Sequence, residues 1–290
     1  MIASVASDSP DPDALRAEML ERWDRVAPGW GRRAAQWREI AMPVSAWMLE
    51  QLALQPGQQV LELAAGTGDT GFLAAELIQP GGTLVSSDAS EAMLAVARER
   101  ARAQGIENVE FRRLELEWID LATASVDALV CRWGVMLSVD PGAALRECRR
   151  VLRPGGRLAL AVWDEPARNP WATLPTRALV ELGLASPPDP SAPGMFALAD
   201  PERLYELLGD AGFVEVVVAS IELTRTAASV RDYILEILDL SVAFADVWEG
   251  CPADQRAQVA SRIATLTAPF AVRGGALRLP GSTLVVAASA

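Results

Sequence analysis

Residues 61–71 read LELAAGTGDTG, and Gly66, Gly68 and Gly71 within them form the pattern G-x-G-x-x-G. The apolar run QQVLELAA before the glycines is typical of a strand, and TGFLAAELIQ after them is typical of a helix. A glycine-rich turn between a strand and a helix directs backbone N–H groups and the positive end of the helix dipole at a ligand. The stretch therefore predicts a ligand-binding loop, and the glycines alone do not say which ligand it holds.

The chain around this loop alternates short apolar runs with amphipathic helical patterns, which predicts an α/β fold with a mostly parallel sheet. Strand patterns occupy residues 58–65, 81–90, 108–115, 125–135, 155–163, 214–224 and 282–290. Helical patterns between them occupy residues 70–79, 91–104, 143–152 and 201–213. The regular alternation indicates βαβ units, in which ligands bind at the carboxyl ends of the strands.

The N-terminal region is predicted to be helical in two pieces, at residues 14–27 and 32–54. Pro28-Gly29 is expected to break the helical pattern between them. Trp23, Trp30 and Trp37 follow one another at intervals of seven residues, but this break would prevent them from sharing one straight helix.

Two stretches interrupt the regular alternation, and both are interpreted as substrate-side insertions. Residues 165–199 are rich in Pro and carry one short helical pattern at 174–183, whereas residues 228–275 are mainly helical. We therefore predict an N-terminal helical cap at 1–54 and a core at 55–290 that carries both insertions.

The composition restricts the chemistry, because the chain of 290 residues contains no His. Catalytic triads and metal sites that depend on His are therefore excluded. Cys131, Cys148 and Cys251 are odd in number and widely spaced, so neither a disulfide framework nor a metal site is expected. All 26 basic residues are Arg, and the formal net charge of −12 disfavours nucleic-acid partners.

The N-terminal residues MIASVASDSPDPDALRAEML lack the basic and apolar regions of a signal peptide, and SDSPDPD at 7–13 is typical of disorder. No stretch approaches the roughly 20 apolar residues of a membrane span. We predict a cytoplasmic protein that acts on a small molecule, without nucleic acid or a membrane span, and compatible with a homo-oligomer.

Three features separate the ligands that such a loop could hold. A phosphate-binding P-loop needs Lys after its glycines, and this chain has none. Glu62 lies four residues before Gly66, where an acid would repel a pyrophosphate but attract a cofactor that carries an ammonium and a sulfonium. Asp88 lies 20 residues after Gly68 at the end of the second strand pattern, and its carboxylate can accept both hydroxyls of a ribose. Gly71 is interpreted as a helix-packing glycine.

Five ordered motifs over residues 60–158 resemble those of the class I S-adenosylmethionine-dependent methyltransferases, in the branch similar to ubiquinone/menaquinone-biosynthesis methyltransferases. The motifs are VLELAAGTG, SSDASEAML, VEFRRLELEWID, DALVCRWGVML and RVLRPGGRL. The resemblance implies a Rossmann-like, seven-stranded, mostly parallel sheet with helices on both faces, an antiparallel last strand and helical lid insertions. It also implies S-adenosyl-L-methionine as cofactor.

The resemblance assigns roles to residues of the five motifs. Glu62 would orient the methionyl amine, Asp88 would hold the ribose diol and Met93 would pack on the adenine. The full set implied to bind the cofactor is Glu62, Ala64, Gly66, Thr67, Gly68, Asp88, Ala89, Met93, Glu115, Leu116 and Cys131. Arg132 and Trp133 would face the substrate, and Trp30, at the predicted helix break, is a candidate lid residue.

The residues themselves leave alternatives open. Glu62 and Asp88 could cap the following helices, Met93 could be a core residue and Glu115 could be a solvated strand end. Methyl transfer does not require a general base, but an Asp or Glu side chain, Tyr205 or Tyr233 could act as one. The catalytic residue and the acceptor atom (O, C or N) stay unassigned. A non-catalytic S-adenosylmethionine-binding module and an NAD-dependent oxidoreductase are the competing functions.

Overall fold

The computed structural model of the protein describes residues 11–189 and 192–290. Residues 1–10, which include the first half of the stretch on which the absence of a signal peptide was predicted, lie outside this description. Pro190 and Ser191 of the Pro-rich insertion also lie outside it. The prediction of disorder at 7–13 is wrong for its described part, because Asp11 caps the helix that begins at Pro12 and its carboxylate accepts the N–H of Asp13.

Within the described residues, seven strands form one sheet in the order β3-β2-β1-β4-β5-β7-β6. Strands β1 to β5 pair in parallel, and β7 is antiparallel to both β5 and β6. The strands are β1 Gln59–Glu62, β2 Thr83–Asp88, β3 Val109–Arg113, β4 Val126–Arg132, β5 Leu152–Trp163, β6 Val214–Ala227 and β7 Leu277–Ser289. The predicted seven-stranded sheet with an antiparallel last strand is confirmed.

Helices connect the strands. The helices are α1 Pro12–Leu52, α2 Asp69–Leu77, α3 Glu91–Gln104, α4 Pro141–Val151, α5 Pro170–Glu181, α6 Pro201–Asp210, α7 Val230–Leu240, α8 Val242–Gly250 and α9 Ala253–Thr267. The sequence patterns predicted α2, α3, α4 and α6 to within a few residues. The central strands are covered on both faces, since consecutive residues are buried at 60–62 of β1 and at 158–163 of β5.

The predicted helix break at Pro28-Gly29 is wrong, because α1 runs unbroken from Pro12 to Leu52. Pro28 removes one intrahelical hydrogen bond, but packing against α7 holds the helix together there. A Cβ atom at Gly29 would lie 1.9 Å from the carbonyl oxygen of Asp239, so only glycine allows this close approach. The Arg33 guanidinium also donates to the Asp239 carboxylate at 2.7 Å.

Because α1 is continuous, three of its tryptophans form a ladder, contrary to the prediction that they could not share one helix. The ring centroids of Trp23 and Trp30 are 6.2 Å apart, and those of Trp30 and Trp37 are 5.2 Å apart. The heptad spacing was therefore the better guide to this region than the Pro-Gly pair.

The two insertions have the predicted helical content. The first contains α5, which begins four residues before the predicted start at 174, and the second contains α7, α8 and α9. α1 packs against α3, β5 and α7, and α5 packs against α9. The division into a cap at 1–54 and a core at 55–290 stays a prediction.

Candidate active site

A cavity of about 1590 Å³ lies at the carboxyl ends of the parallel strands. Its lining includes the residues that directly follow β1 and β2, the end of β4 and Trp163 at the end of β5. This is the position at which open α/β sheets bind ligands. The volume exceeds the roughly 300 to 1,000 Å³ of a typical small-molecule pocket, so the cavity has room for more than one ligand.

Most of the residues predicted for the site line this cavity. They are Trp30, Ala64, Gly66, Thr67, Asp88, Ala89, Met93, Glu115, Leu116, Arg132 and Trp133. Glu62, Gly68 and Cys131 are not part of the lining, and their predicted contacts with a cofactor stay predictions.

The glycine loop and Asp88 are joined by backbone hydrogen bonds. The N–H of Gly66 donates to Asp88 Oδ2 at 2.8 Å, and the N–H of Ser90 donates to Asp88 Oδ1 at 2.9 Å. Gly66 has a φ of 54°, and a Cβ atom there would meet no other atom within 4 Å, so the loop borders open space. Burial raises the pKa of Asp88 to about 6, although both hydrogen bonds favour the ionised form.

Glu62 lies beneath the loop, where its carboxylate is 3% exposed. Its Oε1 accepts the N–H of Gly71 at 2.6 Å, and its Oε2 accepts the hydroxyl of Ser86 at 2.9 Å. Burial raises its pKa to about 7. A Cβ atom at Gly71 would lie 2.1 Å from Glu62 Oε2, so Gly71 makes room for the carboxylate that ties α2 to β1 and β2. The interpretation of Gly71 as a helix-packing glycine missed this contact.

Gly68 and Cys131 shape the turns in which they lie and do not contact the cavity. Gly68 adopts a left-handed conformation before α2, with the ring of Phe72 where a Cβ atom would lie. The sulfur of Cys131 accepts backbone N–H groups from the following turn, and burial raises the pKa of its thiol to about 12. A thiol held in this way is not a nucleophile.

One side of the cavity is walled by four indole rings, the tryptophan cluster, formed by Trp37, Trp133, Trp163 and Trp171. Trp133 and Trp163 are stacked, with centroids 4.3 Å apart and planes inclined by 14°. Trp37 meets Trp133 and Trp171 edge to face at 6.0 and 5.7 Å, and Trp163 meets Trp171 at 4.9 Å. Such a wall is flat, apolar and well suited to another ring.

Trp133 is held in an unfavourable backbone conformation that aims its ring at the cavity. Its φ of 61° is rare for a bulky residue. Its N–H donates to the carbonyl of Ala161 at 2.7 Å, and its Nε1–H donates to Thr283 Oγ1 at 2.9 Å. These bonds to β5 and β7 offset the strain.

Sequence reasoning found Trp133 but missed the other three members of the cluster as site residues. Trp163 ends a predicted strand at the carboxyl edge of the sheet, a position from which it could have been predicted as a site residue. Trp37 and Trp171 gave no comparable signal, because they come from the N-terminal helix and the first insertion.

Arg225 covers two rings of this cluster and was also missed. It is 4% exposed, and its guanidinium carbon lies 4.5 Å from the Trp37 centroid and 4.4 Å from the Trp171 centroid. Glu236 on α7, which is 2% exposed, forms an ion pair with it. Burial lowers the pKa of Arg225, and Glu236 opposes that shift.

Arg225 reaches the cavity because β6 and β7 extend beyond the parallel strands. Trp163, the last residue of β5, pairs with Thr283 of β7, which pairs in turn with Ile221 of β6. Arg225 therefore lies four residues past the end of β5, where the long β6–β7 ribbon rises beside the cavity.

Arg132, at the end of β4, is a second cation on the lining. Its guanidinium carbon lies 4.8 Å from the Trp133 centroid, and Nη1 donates to Ser45 Oγ at a long 3.4 Å. Among the described residues, no carboxylate oxygen lies within 4.0 Å of its guanidinium nitrogens. Burial lowers its pKa.

Neither tyrosine that was considered as a general base lies on the cavity. Tyr205 is 46% exposed on α6. Tyr233 is buried, its hydroxyl donates to the carbonyl of Trp171, and burial raises its pKa further. The suggestion that either tyrosine removes a proton from the substrate is therefore wrong.

The first turns of α1 cover the end of the cavity next to Asp88. Arg16 forms an ion pair with Glu117, whose Oε1 also accepts the N–H of Val139 at 2.7 Å. Further along α1, Asp24 accepts the hydroxyl of Ser90 at 2.6 Å. These polar contacts join the N-terminal part of α1 to the loops after β2, β3 and β4.

A family profile described as a methyltransferase domain matches residues 54–180. The chain is also 30% identical over 178 residues to the ubiquinone/menaquinone biosynthesis C-methyltransferase UbiE of Shewanella frigidimarina, which covers 58% of this chain and 71% of that protein. The chain belongs to the class I S-adenosylmethionine-dependent methyltransferases. The methyltransferase is thus an enzyme whose cofactor is S-adenosyl-L-methionine, and the alternatives of an NAD-dependent oxidoreductase and a non-catalytic module are set aside.

Other comparisons agree with the fold and leave the acceptor open. The structure of YcgJ from Bacillus subtilis has a TM-score of 0.57 and 18% identity, with 84% of this chain and 97% of that chain covered. An arsenite methyltransferase of Halobacterium salinarum is 37% identical over 109 residues, which are 38% of this chain and 28% of that protein. Since relatives with such different names share the core sequence, the core does not define the acceptor of this methyltransferase.

In the described part of the methyltransferase, no helix combines the length and the apolar character needed to cross a membrane.

Proposed function

We propose that the protein transfers a methyl group from S-adenosylmethionine to a small apolar or aromatic metabolite that lies against the tryptophan cluster. The observation that carries this proposal is one cavity of about 1590 Å³ with a glycine loop and Asp88 on one side and four indole rings on the other. S-adenosylmethionine, when bound, would supply a methyl group on a sulfonium: the acceptor's nucleophile would form a bond to the methyl carbon as the S–C bond breaks, and S-adenosylhomocysteine would leave with the electron pair on sulfur. The protein's own task is to align the two ligands and exclude water.

The cofactor side is supported by the chemistry of Asp88. Each of its carboxylate oxygens accepts one backbone N–H, which leaves a further acceptor position on each oxygen for the two hydroxyls of a ribose. Met93, 2% exposed and packed near Trp30, offers an apolar surface to the adenine. Glu115 and Leu116 on the neighbouring lining would bound the other side of that ring.

We assign Glu62 a positioning role within this proposal. Its carboxylate is already engaged by Gly71 and Ser86, so it would hold the loop that approaches the methionyl group and supply negative charge beneath it. Direct contact with the methionyl amine is not required for that effect.

The acceptor side is supported by its walls. Trp171 comes from the first insertion, and Ile237 and Phe244 come from the second. The insertions at 165–199 and 228–275 would therefore enclose the acceptor together with α1. An apolar or aromatic ring would bind most favourably against this surface.

Calorimetric titration with S-adenosylhomocysteine, and separately with NADH, tests the cofactor. We expect only the former to bind. Incubation with methyl-labelled S-adenosylmethionine and an organic-solvent extract of cells then tests the acceptor, and we expect label in a compound that partitions into the organic phase. Binding of NADH alone would contradict the proposal.

A matched pair of variants separates the two sides of the cavity. Asp88→Asn should weaken S-adenosylhomocysteine binding, whereas Trp163→Leu, which keeps an apolar side chain, should retain that binding and lose methyl transfer. If Trp163→Leu leaves transfer unchanged, the acceptor does not use the tryptophan cluster.

A further inference from the structure

We propose that the methyl acceptor binds as an oxyanion, the phenolate or enolate of a flat conjugated ring, with its charged oxygen held by the guanidinium of Arg132. This inference rests on the proposed function and narrows its substrate class. It makes Arg132 a substrate-contacting residue that replaces a general base.

The first support is the distribution of carboxylates. The chain contains no His. Among the described residues, the carboxylates on the cavity lining belong to Asp13, Asp88, Glu115, Glu117, Asp140 and Asp189. Asp88 ends β2 and Glu115 follows β3, at the other end of the sheet from the β6–β7 ribbon. Asp13 and Glu117 pair with Arg16 where α1 covers the cavity. The Asp140 carboxylate accepts the N–H of Ala143 and pairs with Arg146.

The second support is that Arg132 has no anion in direct contact. The charged groups that face it are Glu62 on β1, Asp69 on α2 and Arg100 on α3, while α1 offers only the hydroxyl of Ser45. Asp69 is already paired with Arg100 at 2.6 Å, and Glu62 accepts from Gly71 and Ser86. A partly buried cation without a paired carboxylate is stabilised by an anion that a ligand brings to it.

The third support is the different state of Arg225, the other cation beside the cluster. Its charge is matched by Glu236, and Tyr233 and Arg33 are the further titratable groups that face it. Indole rings lie over its guanidinium at Trp37 and Trp171. Arg225 therefore stiffens the wall and adds to the positive potential, and Arg132 is the cation that is available to an anion.

The surface next to Arg132 selects the shape of that anion. Its guanidinium lies over Trp133, which is stacked on Trp163, so an anionic oxygen at Arg132 would be attached to a group that lies along these two rings. A flat conjugated ring with an ionised oxygen satisfies both the cation and the indoles. As the acceptor binds, the O–H bond breaks and its proton passes to bulk water, while the electron pair stays on the oxygen beside Arg132.

The test uses 7-hydroxycoumarin, whose ionised form absorbs at longer wavelength than its neutral form, with the protein saturated with S-adenosylhomocysteine. Absorbance titration gives the pKa of the bound probe. We expect it to be about one unit or more below that of the free probe, which corresponds to about tenfold tighter binding of the phenolate. 7-Methoxycoumarin, which cannot ionise, should bind more weakly at neutral pH.

Arg132→Gln should abolish this shift, Arg132→Lys should restore part of it, and Arg203→Gln, on the exposed face of α6, should leave it unchanged. An unshifted pKa in the wild-type protein, or the same shift in Arg132→Gln, would overturn the proposal. The wild-type titration can contradict the proposal by itself, even if a variant fails to fold.

Calorimetry with S-adenosylhomocysteine separates this inference from the proposed function. Binding to the wild type and to Arg132→Gln with similar affinity, together with the loss of the shift in the variant, supports the inference. Loss of cofactor binding only in Arg132→Gln would assign Arg132 to the cofactor carboxylate and overturn the inference. Absence of binding to the wild type would reject the proposed function itself.

Discussion

At the scale of single residues, the two carboxylates at the glycine loop have different roles. Asp88 lines the cavity and keeps acceptor positions for a ligand, whereas Glu62 lies beneath the loop and bonds to the protein. Burial raises the pKa of both, to about 6 and about 7 respectively. Their protonation should therefore affect binding and folding separately.

Asp88→Asn should weaken S-adenosylhomocysteine binding by about tenfold or more at pH 8. An amide can no longer accept two hydroxyls, and a hydrogen bond to a charged group contributes about 1.5 to 3 kcal/mol. In the wild type, affinity should fall as the pH drops through about 6, because the ligand prefers the ionised carboxylate. Calorimetry from pH 5 to pH 8 checks both effects. An Asp88→Asn protein with unchanged affinity would remove Asp88 from the site.

Glu62→Gln should change how stability depends on pH. The folded pKa of Glu62 is raised from 4.5 to about 7, so the folded state binds more protons than the unfolded state between these values. The contribution of Glu62 to the free energy of unfolding is therefore present at low pH and lost as the pH rises through about 7. The difference in unfolding free energy between the variant and the wild type should shift in favour of Gln by on the order of 3 kcal/mol from pH 4.5 to pH 8.

Urea unfolding at several pH values measures that shift, and comparison across pH removes the constant effect of the changed side-chain shape. Asp88 titrates in both proteins and cancels in the difference. Parallel stability curves for the two proteins would show that Glu62 does not titrate as its burial implies.

At the scale of elements, the sequence predicted the strands, helices and loops whose formation depends on residues close together along the chain. Strands β1 to β5 have local apolar patterns bounded by turns, and the glycine loop, Asp88 and Met93 follow those strands at fixed spacings. The continuity of α1 was not predictable in this way, because it depends on the contact of Gly29 with Asp239, which lies 210 residues further along the chain. Arg225 likewise reaches Trp37 and Trp171 only through the pairing of β6 with β7.

Gly29→Ala should separate α1 from α7 and destabilise the fold. The new Cβ atom would lie 1.9 Å from the carbonyl oxygen of Asp239, and the helix backbone must shift to relieve the clash. Overpacking of this kind costs roughly 1 to 3 kcal/mol. Chemical denaturation measures the loss in the free energy of unfolding.

Gly31→Ala is the matched control, two residues along the same helix. Its Cβ atom would meet only the side chain of Val96, at 3.2 Å, and alanine has the better helix propensity by about 1 kcal/mol. We expect stability to change little or to increase slightly. Equal losses for Gly29→Ala and Gly31→Ala would mean that the approach of α7 does not require glycine.

At the scale of the whole molecule, α1 belongs to two environments. Its C-terminal part is anchored in the core, where Ala41, Val44 and Met48 are fully buried. Its N-terminal part, by contrast, is largely exposed and is joined to the rest mainly by polar contacts, among them Arg16 with Glu117 and Arg25 with Asp246. Surface ion pairs contribute little to stability, so this part can open while the core stays folded.

Cofactor binding should therefore slow amide hydrogen exchange in residues 12–25, which cover the Asp88 side of the cavity, far more than in residues 41–52, which the core already protects. S-adenosylhomocysteine at 100 times its Kd stabilises the folded state by about 2.7 kcal/mol, and this part of α1 should take up a large share of the local protection. Mass-spectrometric hydrogen exchange with and without the ligand measures this protection.

Arg16→Gln should raise exchange in residues 12–25 of the free protein, because the pair with Glu117 is lost. If residues 12–25 exchange equally fast with and without the ligand, α1 does not close over the cofactor, and the entrance to the cavity must be sought in the insertions instead.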